Sequence, residues 1–210
     1  MPDAEKTPEK TPEKTPEKTP ENTPAKNPGN RYAKNSHCGS CGSPYPADVG
    51  WPRTCHVCGD TAYRNPLPVA VALLPVTDDR GTSLVVITRT IEPRRGHLAL
   101  PGGFVDHGED WRHAAVRELW EETGIEAHEG DVRLADAMSA ADGAHLLLFA
   151  LLPQRPVAAL PASVPTAETE GWQLLRAPAE LGFPLHTAAV RAWFAGRYDD
   201  IAAGPPARPA

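Results

Sequence analysis

The segment from Gly103 to Ile125, GFVDHGEDWRHAAVRELWEETGI, constrains the fold of this chain most strongly. Its second half predicts a helix, in which successive residues are about 100° apart. Glu118, Glu121 and Glu122 then lie on one helical face, within an arc of about 100°. Three carboxylates repel one another unless a cation lies between them. Because Mg²⁺ and Mn²⁺ prefer oxygen ligands, the spacing predicts a site for one of these ions.

An alternative interpretation is a solvent-exposed acidic helix face, because glutamate pairs four residues apart are common on surface helices. Between Pro101 and Glu126, seven acidic residues stand against two basic ones. The acidic residues are Asp106, Glu109, Asp110, Glu118, Glu121, Glu122 and Glu126, and the basic residues are Arg112 and Arg117. A surface face normally carries lysine partners for its acids. Their absence favours the metal site.

The same segment resembles the Nudix box, the signature G-x5-E-x7-R-E-U-x-E-E-x-G-U, in which U is a bulky aliphatic residue. All nine fixed positions agree, namely Gly103, Glu109, Arg117, Glu118, Leu119, Glu121, Glu122, Gly124 and Ile125. The resemblance implies a Nudix hydrolase. Such an enzyme depends on Mg²⁺ or Mn²⁺ and uses water to split the diphosphate linkage of a nucleoside diphosphate derivative.

The resemblance also implies a set of metal ligands. They are the carbonyl of Gly102 and the carboxylates of Glu118, Glu121 and Glu122. Glu118 is implied either as a ligand or as the general base. The glycines of the preceding loop allow the tight turn that brings a carbonyl close to the ion.

Other polar residues near the box have weaker assignments. Arg117 is expected to be structural and to orient a box glutamate. Arg94 and Arg95, in the loop before the box, are candidates for contacts with substrate phosphates, and a solvated turn is the alternative. Glu168 and Glu170 lie in a late loop where several Nudix enzymes place an extra base or ligand, but surface positions are expected for both.

All four cysteines form two Cys-x-x-Cys pairs upstream of the box: Cys38 with Cys41, and Cys55 with Cys58. This spacing is typical of a four-thiolate zinc ribbon. Four thiolates leave no open coordination position, so the predicted zinc is structural. The alternatives are free thiols and a redox pair, although a redox pair does not need a second copy.

Charge and hydropathy exclude several other classes of function. The formal net charge is -6 and the isoelectric point is near 5.7, which argues against binding of nucleic acid. No apolar run is long enough to predict a membrane span, and the first residues lack the apolar core of a secretory signal. Clustered cysteines without an export signal favour a reducing compartment, so we expect a cytoplasmic protein.

The chain divides by composition into four parts. Residues 1–36 repeat Thr-Pro-Glu and carry seven basic against six acidic residues, which predicts a disordered spacer or solubility tail. Residues 37–65 are predicted to form the zinc ribbon, residues 66–198 the Nudix domain, and residues 199–210 a flexible tail.

Apolar runs and turn residues predict the elements of the Nudix domain. Strands are expected at 67–76, 83–88, 132–137, 145–152 and around 172–175, and helices from about 110 to 123 and near 186–195. Strands interleaved with two helices indicate an α+β fold. The resemblance implies an α/β/α sandwich with a mixed sheet, preceded by the ribbon.

Three short segments indicate which group of Nudix hydrolases the chain resembles most. Tyr63–Pro66, Ile91–Gly96 and Glu180–Pro184 are similar to segments of Nudix hydrolases with an N-terminal zinc ribbon. That group implies ADP-ribose, FAD and similar dinucleotides as substrates. NADH pyrophosphatases resemble the chain more distantly, because their Ser-Gln-Pro-Trp signature is absent and Leu98 stands where many relatives have tryptophan.

Two functions without catalysis remain as alternatives: a Nudix-fold nucleotide-binding regulator and a zinc-ribbon adaptor. A broken box would favour the regulator, and this box is whole. The expected partner is a small nucleotide substrate, with neither nucleic acid nor membrane, and a homodimer is left open.

Overall fold

The computed structural model describes residues 35–202, which form two compact units divided between Tyr63 and Arg64. Nearly all of the predicted disordered tail, residues 1–34, lies outside the described residues, and so do residues 203–210.

The first unit is built around two short antiparallel strands, β1 (Arg53–Thr54) and β2 (Thr61–Ala62). Each Cys-x-x-Cys pair forms a tight turn. In the first turn the Gly42 N–H donates to the carbonyl of Cys38, and in the second the Gly59 N–H donates to the carbonyl of Cys55, both at 2.9 Å. Both glycines have φ near +75°, at 73° and 76°, a conformation that other residues adopt rarely.

The second unit contains nine strands and three helices. The strands are β3 (Leu67–Leu73), β4 (Pro75–Asp78), β5 (Gly81–Arg89), β6 (Leu98–Ala99), β7 (Gly102–Phe104), β8 (Arg133–Ser139), β9 (His145–Leu151), β10 (Arg155–Pro156) and β11 (Thr169–Leu175). The helices are α1 (Trp111–Thr123), α2 (Pro184–Phe194) and α3 (Asp199–Ala202).

The strands form two sheets, in the orders β7-β3-β9-β8 and β10-β4-β5-β11, with β6 paired to β5. In the first sheet β3 and β9 are parallel, whereas β3 and β7 are antiparallel. Alternate residues of β3 face opposite ways: Val71 and Leu73 pack in the cluster that contains α2, and Ala70 and Ala72 in the cluster that contains α1. The strand layer therefore lies between two helices, as expected for an α/β/α sandwich.

Helix α1 has the bounds that its local sequence predicts. The Asp110 side chain accepts a hydrogen bond from the Arg112 N–H at 2.8 Å and caps the start of the helix. At the other end Gly124 has a left-handed φ of 71°, and its N–H donates to the Trp120 carbonyl at 2.7 Å. Both ends of the box helix are thus fixed by adjacent residues.

Two predicted boundaries need correction. The apolar run 67–76 is two strands, because the chain passes from one sheet to the other at Leu74, and Pro75 has no N–H to continue the first ladder. The predicted flexible tail begins too early, since Asp199–Ala202 are helical and Ile201 packs against the core. Because most residues of this last helical turn are polar or small, its sequence did not predict a helix.

Candidate active site

The second unit contains a cleft of about 710 Å³ beside the box helix. Its walls come from β3, β5, β7, the start of α2 and the segment before β11. Five glutamates line it: Glu118, Glu121 and Glu122 of the box, together with Glu92 and Glu168. The predicted site residues of the box are thus brought together in one cavity.

Glu122 is the most deeply placed of these acids, with 3% of its surface exposed. The Gly102 N–H donates to its Oε2 at 2.9 Å. Burial, with a smaller contribution from the charge of Glu118, raises the pKa of this carboxyl to about 8, although the Gly102 hydrogen bond opposes the shift. Without a cation, this acid is protonated over much of the neutral pH range.

Glu118 lies one turn earlier and faces Gly103. Burial raises the pKa of its carboxyl, although Arg117 donates to Oε1 at 2.7 Å and opposes that shift. A Cβ atom at Gly103 would overlap the Glu118 carboxylate. Glycine at this position therefore leaves the room that the acid occupies.

Arg117 connects the other acids of the box. It donates to both carboxylate oxygens of Glu109, at 2.8 and 3.0 Å, and to the Phe104 carbonyl at 3.0 Å. Its pairing holds the pKa of Glu109 at about 2. Glu121, whose side chain is 46% exposed, accepts from the same guanidinium at 3.2 Å. Arg117 thus has the orienting role predicted for it.

These carboxylates fit a divalent cation by donor chemistry and charge. Glu118 and Glu122 are near enough to interact electrostatically, and Glu168 raises the pKa of both. Arg117 is shared among three glutamates and cannot neutralise all of them. Carboxylate oxygens along one cleft, with excess negative charge, match the ligand preference of Mg²⁺ and Mn²⁺.

Arg89 and His186 also line the cleft, although the sequence predicted no role for either of them. Arg89 lines the cleft, with its Nε donating to the Pro93 carbonyl at 2.9 Å and its guanidinium 5.4 Å from the Phe183 ring centroid. Arg94 and Arg95, the candidates from the sequence, do not line it. Arg89 is the last residue of β5, the strand that precedes the box segment, and this position could have indicated that it lies near the site.

His186 is the second such residue. It is buried at the start of α2, and its Nδ1 accepts from the Leu100 N–H at 3.2 Å. Burial, together with the positive charge of Arg89, lowers the pKa of His186 to about 3. The ring therefore stays neutral and supports the Leu100 segment that precedes the box glycines. No local pattern marks this long-range contact.

The late loop that contains Glu168 and Glu170 contributes one of these two acids to the cleft. Glu168 lines the cleft, whereas Glu170 does not. Surface exposure was expected for both, and both are exposed, but Glu168 is exposed to the cleft itself.

The four cysteines of the first unit also come together. Their sulfur atoms all lie within 4.8 Å of one another, with Cys38 and Cys58 at 3.7 Å and Cys41 and Cys55 at 3.6 Å. A tetrahedral zinc ion with bonds of about 2.3 Å separates its sulfurs by about 3.8 Å. The sulfur geometry therefore fits zinc.

A tyrosine beside this cluster gives a second indication of fit. The Tyr45 hydroxyl is buried and has no hydrogen-bond partner among residues 35–202. Burial and the adjacent Cys38 raise the pKa of Tyr45 to about 12. A metal-bound thiolate is a hydrogen-bond acceptor, which this hydroxyl otherwise lacks.

Comparison with known families decides the classification. The sequence matches the NUDIX domain family over residues 66–194, more than half of the chain. The chain belongs to this family. The resemblance to Nudix hydrolases that the box predicts is confirmed.

Individual relatives of this Nudix chain are more distant. Over 95 residues it is 30% identical to the NAD-capped RNA hydrolase NudC of Salmonella typhi, a match covering 45% of this chain and 35% of that protein. The match to NudC of Salmonella heidelberg has the same identity and coverage. The chain thus spans about a third of the length of these curated relatives.

Solved structures confirm the α+β Nudix fold. A Nudix hydrolase from Nitrosomonas europaea superimposes with a TM-score of 0.59 at 22% identity, covering 82% of this chain and 95% of that one. NrtR of Shewanella oneidensis superimposes with a TM-score of 0.51 at 20% identity, covering 64% of each chain. Among residues 35–202, none of the helices is long and apolar enough to cross a membrane.

Gly102 and Gly103, the adjacent glycines at the start of β7, predict contrasting substitution effects. In Gly103→Ala the new methyl group displaces the Glu118 carboxylate, so we expect Mn²⁺ affinity to fall roughly tenfold or more, with a small change in Tm. In Gly102→Ala it meets the backbone of Val71 at 2.8 Å, so Tm falls substantially. Titration calorimetry and thermal unfolding measure both effects. Unchanged Mn²⁺ binding by Gly103→Ala contradicts the proposed position of Glu118.

The raised pKa of Glu122 predicts a pH-dependent stability in Mg²⁺-free buffer. The folded carboxyl has a pKa of about 8, above the ordinary 4.5, so the folded state binds more protons in this interval. The free energy of unfolding from this group is therefore greatest below about pH 4.5 and falls as the pH rises toward 8. Urea unfolding at several pH values should show a shallower fall for Glu122→Gln than for the exposed control Glu126→Gln. Parallel pH profiles for the two variants would refute the assignment.

Proposed function

We propose that this chain is a Mg²⁺-dependent hydrolase, active also with Mn²⁺, that splits the diphosphate linkage of nucleoside diphosphate derivatives. The observation that carries the proposal is the gathering of Glu118, Glu121 and Glu122 on one wall of a 710 Å³ cleft in a Nudix domain. A cavity of this size suits a dinucleotide-sized ligand.

The carboxylates of Glu118, Glu121 and Glu122 and the Gly102 carbonyl would hold the ion. Mg²⁺ there would supply positive charge for the diphosphate and would favour attack by water. Gly102 contributes through its N–H as well, since this group fixes the Glu122 carboxylate at 2.9 Å. This bond joins the glycine loop to the box helix.

Glu118 is the residue we assign to the attacking water. Arg117 holds its Oε1, so Oε2 is the oxygen outside that ion pair. As a ligand of the ion, Glu118 would orient the attacking water beside it. Arg89, on another wall of the cleft, supplies a positive charge for a substrate phosphate.

The rest of the cleft suits a nucleoside. Phe104 is half exposed and its ring centroid is 5.8 Å from that of His145, and both line the cleft with Leu147 and Phe183. Flat aromatic groups bind to such surfaces. ADP-ribose, FAD and similar dinucleotides, the expectation from the sequence, combine such a group with a diphosphate.

A second candidate is an NAD-type substrate, including NADH. The 95-residue match to an NAD-capped RNA hydrolase favours it, and for the same reason RNA carrying such a cap belongs in the substrate tests. The net charge of -6 still argues against affinity for the RNA backbone. Cytoplasmic location and a homodimer stay predictions.

Residues 37–65 are proposed to be a structural zinc ribbon, residues 66–198 the catalytic domain, and residues 1–36 a spacer. Support for the ribbon comes from the sulfur geometry and from the buried Tyr45 hydroxyl. Support for the catalytic domain comes from the family match over 66–194.

The metal assignment predicts a large catalytic effect. Glu121→Gln and Glu122→Gln keep the side-chain size but remove a ligand charge, so turnover should fall roughly a hundredfold or more. Phosphate release after phosphatase coupling measures the rate with Mg²⁺. The matched control is Glu126→Gln, an exposed acid just beyond the end of the same helix, which should retain wild-type turnover. Near-normal rates in the two box variants would refute the mechanism.

Substrate choice is tested by a panel of ADP-ribose, FAD, NADH, NAD-capped RNA and nucleoside triphosphates. We expect the highest kcat/KM for ADP-ribose or FAD, a lower value for NADH, and a far lower value for triphosphates. A higher kcat/KM for NADH would favour the second candidate. No hydrolysis of any member would contradict the proposed enzyme.

The zinc assignment predicts one zinc ion per chain, measured by elemental analysis of protein prepared under reducing conditions. Cys38→Ser or Cys55→Ser should lower the Tm, because a structural zinc contributes directly to folding. Val57→Ala, which changes an exposed side chain in the second turn and spares the sulfurs, serves as the control. Protein free of zinc would count against the ribbon.

A further inference from the structure

Thr169 joins the late loop to the box helix through a buried hydrogen bond. The residue is fully buried, at 0% exposure, although it is polar. Its Oγ1 donates to the main-chain carbonyl of Glu122 at 2.8 Å. Glu122 lies in the last turn of α1, where carbonyls lack partners within the helix. The same glutamate is therefore held twice, by Gly102 at its carboxylate and by Thr169 at its backbone.

The loop before Thr169 is closed by its own hydrogen bonds. The Thr166 N–H donates to the Thr169 carbonyl at 2.9 Å, and the Thr166 hydroxyl accepts from the N–H groups of Glu168 and Thr169, both at 3.2 Å. On the opposite side the Thr90 N–H donates to the Glu168 carbonyl at 2.8 Å. The main chain of Glu168 is thus fixed between β5 and the box helix.

The side chain of Glu168 is the part of this loop that reaches the active-site cleft. It lines the cleft with Glu118 and Glu122, and its charge raises the pKa of both. At Thr169 the strand is irregular, since the register with β5 shifts between Thr169 and Trp172. At this irregularity two adjacent residues have different surroundings. Thr169 is buried against the helix, and Glu168 is exposed to the cleft.

We propose that Thr169 is a positioning residue, whose hydroxyl ties segment 166–169 to the backbone of Glu122 and so holds Glu168 opposite the box carboxylates. This role rests on the proposed hydrolase function, because it makes Glu168 a fourth carboxylate of the site. A hydroxyl that merely satisfied a buried carbonyl would affect stability and leave metal binding and turnover unchanged.

Three variants test the role. Thr169→Val removes the hydroxyl at nearly constant volume, and Thr169→Ser retains it. The control is Ser83→Ala, which removes another buried hydroxyl, bonded to Arg176 at 3.3 Å and outside the cleft lining. Each variant is measured for Tm, for Mn²⁺ affinity by titration calorimetry, and for kcat and KM on the preferred substrate.

In Thr169→Val we expect kcat to fall roughly ten- to a hundredfold with little change in KM, since misplacement of a reacting group has effects of this size. Mn²⁺ affinity should fall severalfold. Thr169→Ser should restore both quantities, and Ser83→Ala should lower only Tm. If Thr169→Val changes only Tm, as the control does, or if serine does not restore turnover, the positioning role is overturned.

A double-mutant cycle tests whether Thr169 acts through Glu168. If it does, adding Thr169→Val to Glu168→Gln causes little further loss of kcat. Independent, multiplying losses would contradict this route. If the wild-type chain hydrolyses no member of the substrate panel, the proposed function fails, and the Mn²⁺ titrations alone still decide whether the Thr169 hydroxyl shapes the acidic site.

Discussion

The hydrogen bond from the Gly102 N–H to the buried carboxylate of Glu122 is the interaction on which the rest of the site depends. It joins the glycine loop to the box helix at 2.9 Å and places an acid where only 3% of its surface is exposed. Burying a charge this deeply is unfavourable without a partner. The raised pKa of about 8 expresses that cost, and a divalent cation would remove it. Stability and the proposed metal binding are therefore linked through one side chain.

The strand layer gives this interaction its rigid support. β3 contributes to both cores, and β7, which begins at Gly102, pairs with it. Helix α1 packs on the same two strands, so helix and loop are both fixed to β3. Arg117 then distributes one positive charge over Glu109, Glu118 and Glu121. The box motif consequently encodes a helix, a loop and the ion pairs that connect them.

The sequence predicts those parts of the structure that depend on neighbouring residues. The bounds of α1 follow from Asp110 and Gly124, and the common face of the box glutamates follows from helical geometry. Arg89 and Glu168 could not be assigned to the cleft in this way, because contacts between distant segments bring them there. The strand break at Leu74 was missed for a similar reason: an apolar run does not reveal to which sheet each part belongs.

The proposed metal site can be tested directly by locating Mn²⁺ in crystals of the protein through its anomalous scattering. We expect a peak within bonding distance of carboxylate oxygens from Glu118, Glu121 and Glu122, with the Gly102 carbonyl completing the protein ligands. Such a peak would also explain how a carboxyl as buried as Glu122 remains charged. Strong Mn²⁺ peaks elsewhere, with none at the box at saturating Mn²⁺, would contradict a metal site formed by the box glutamates.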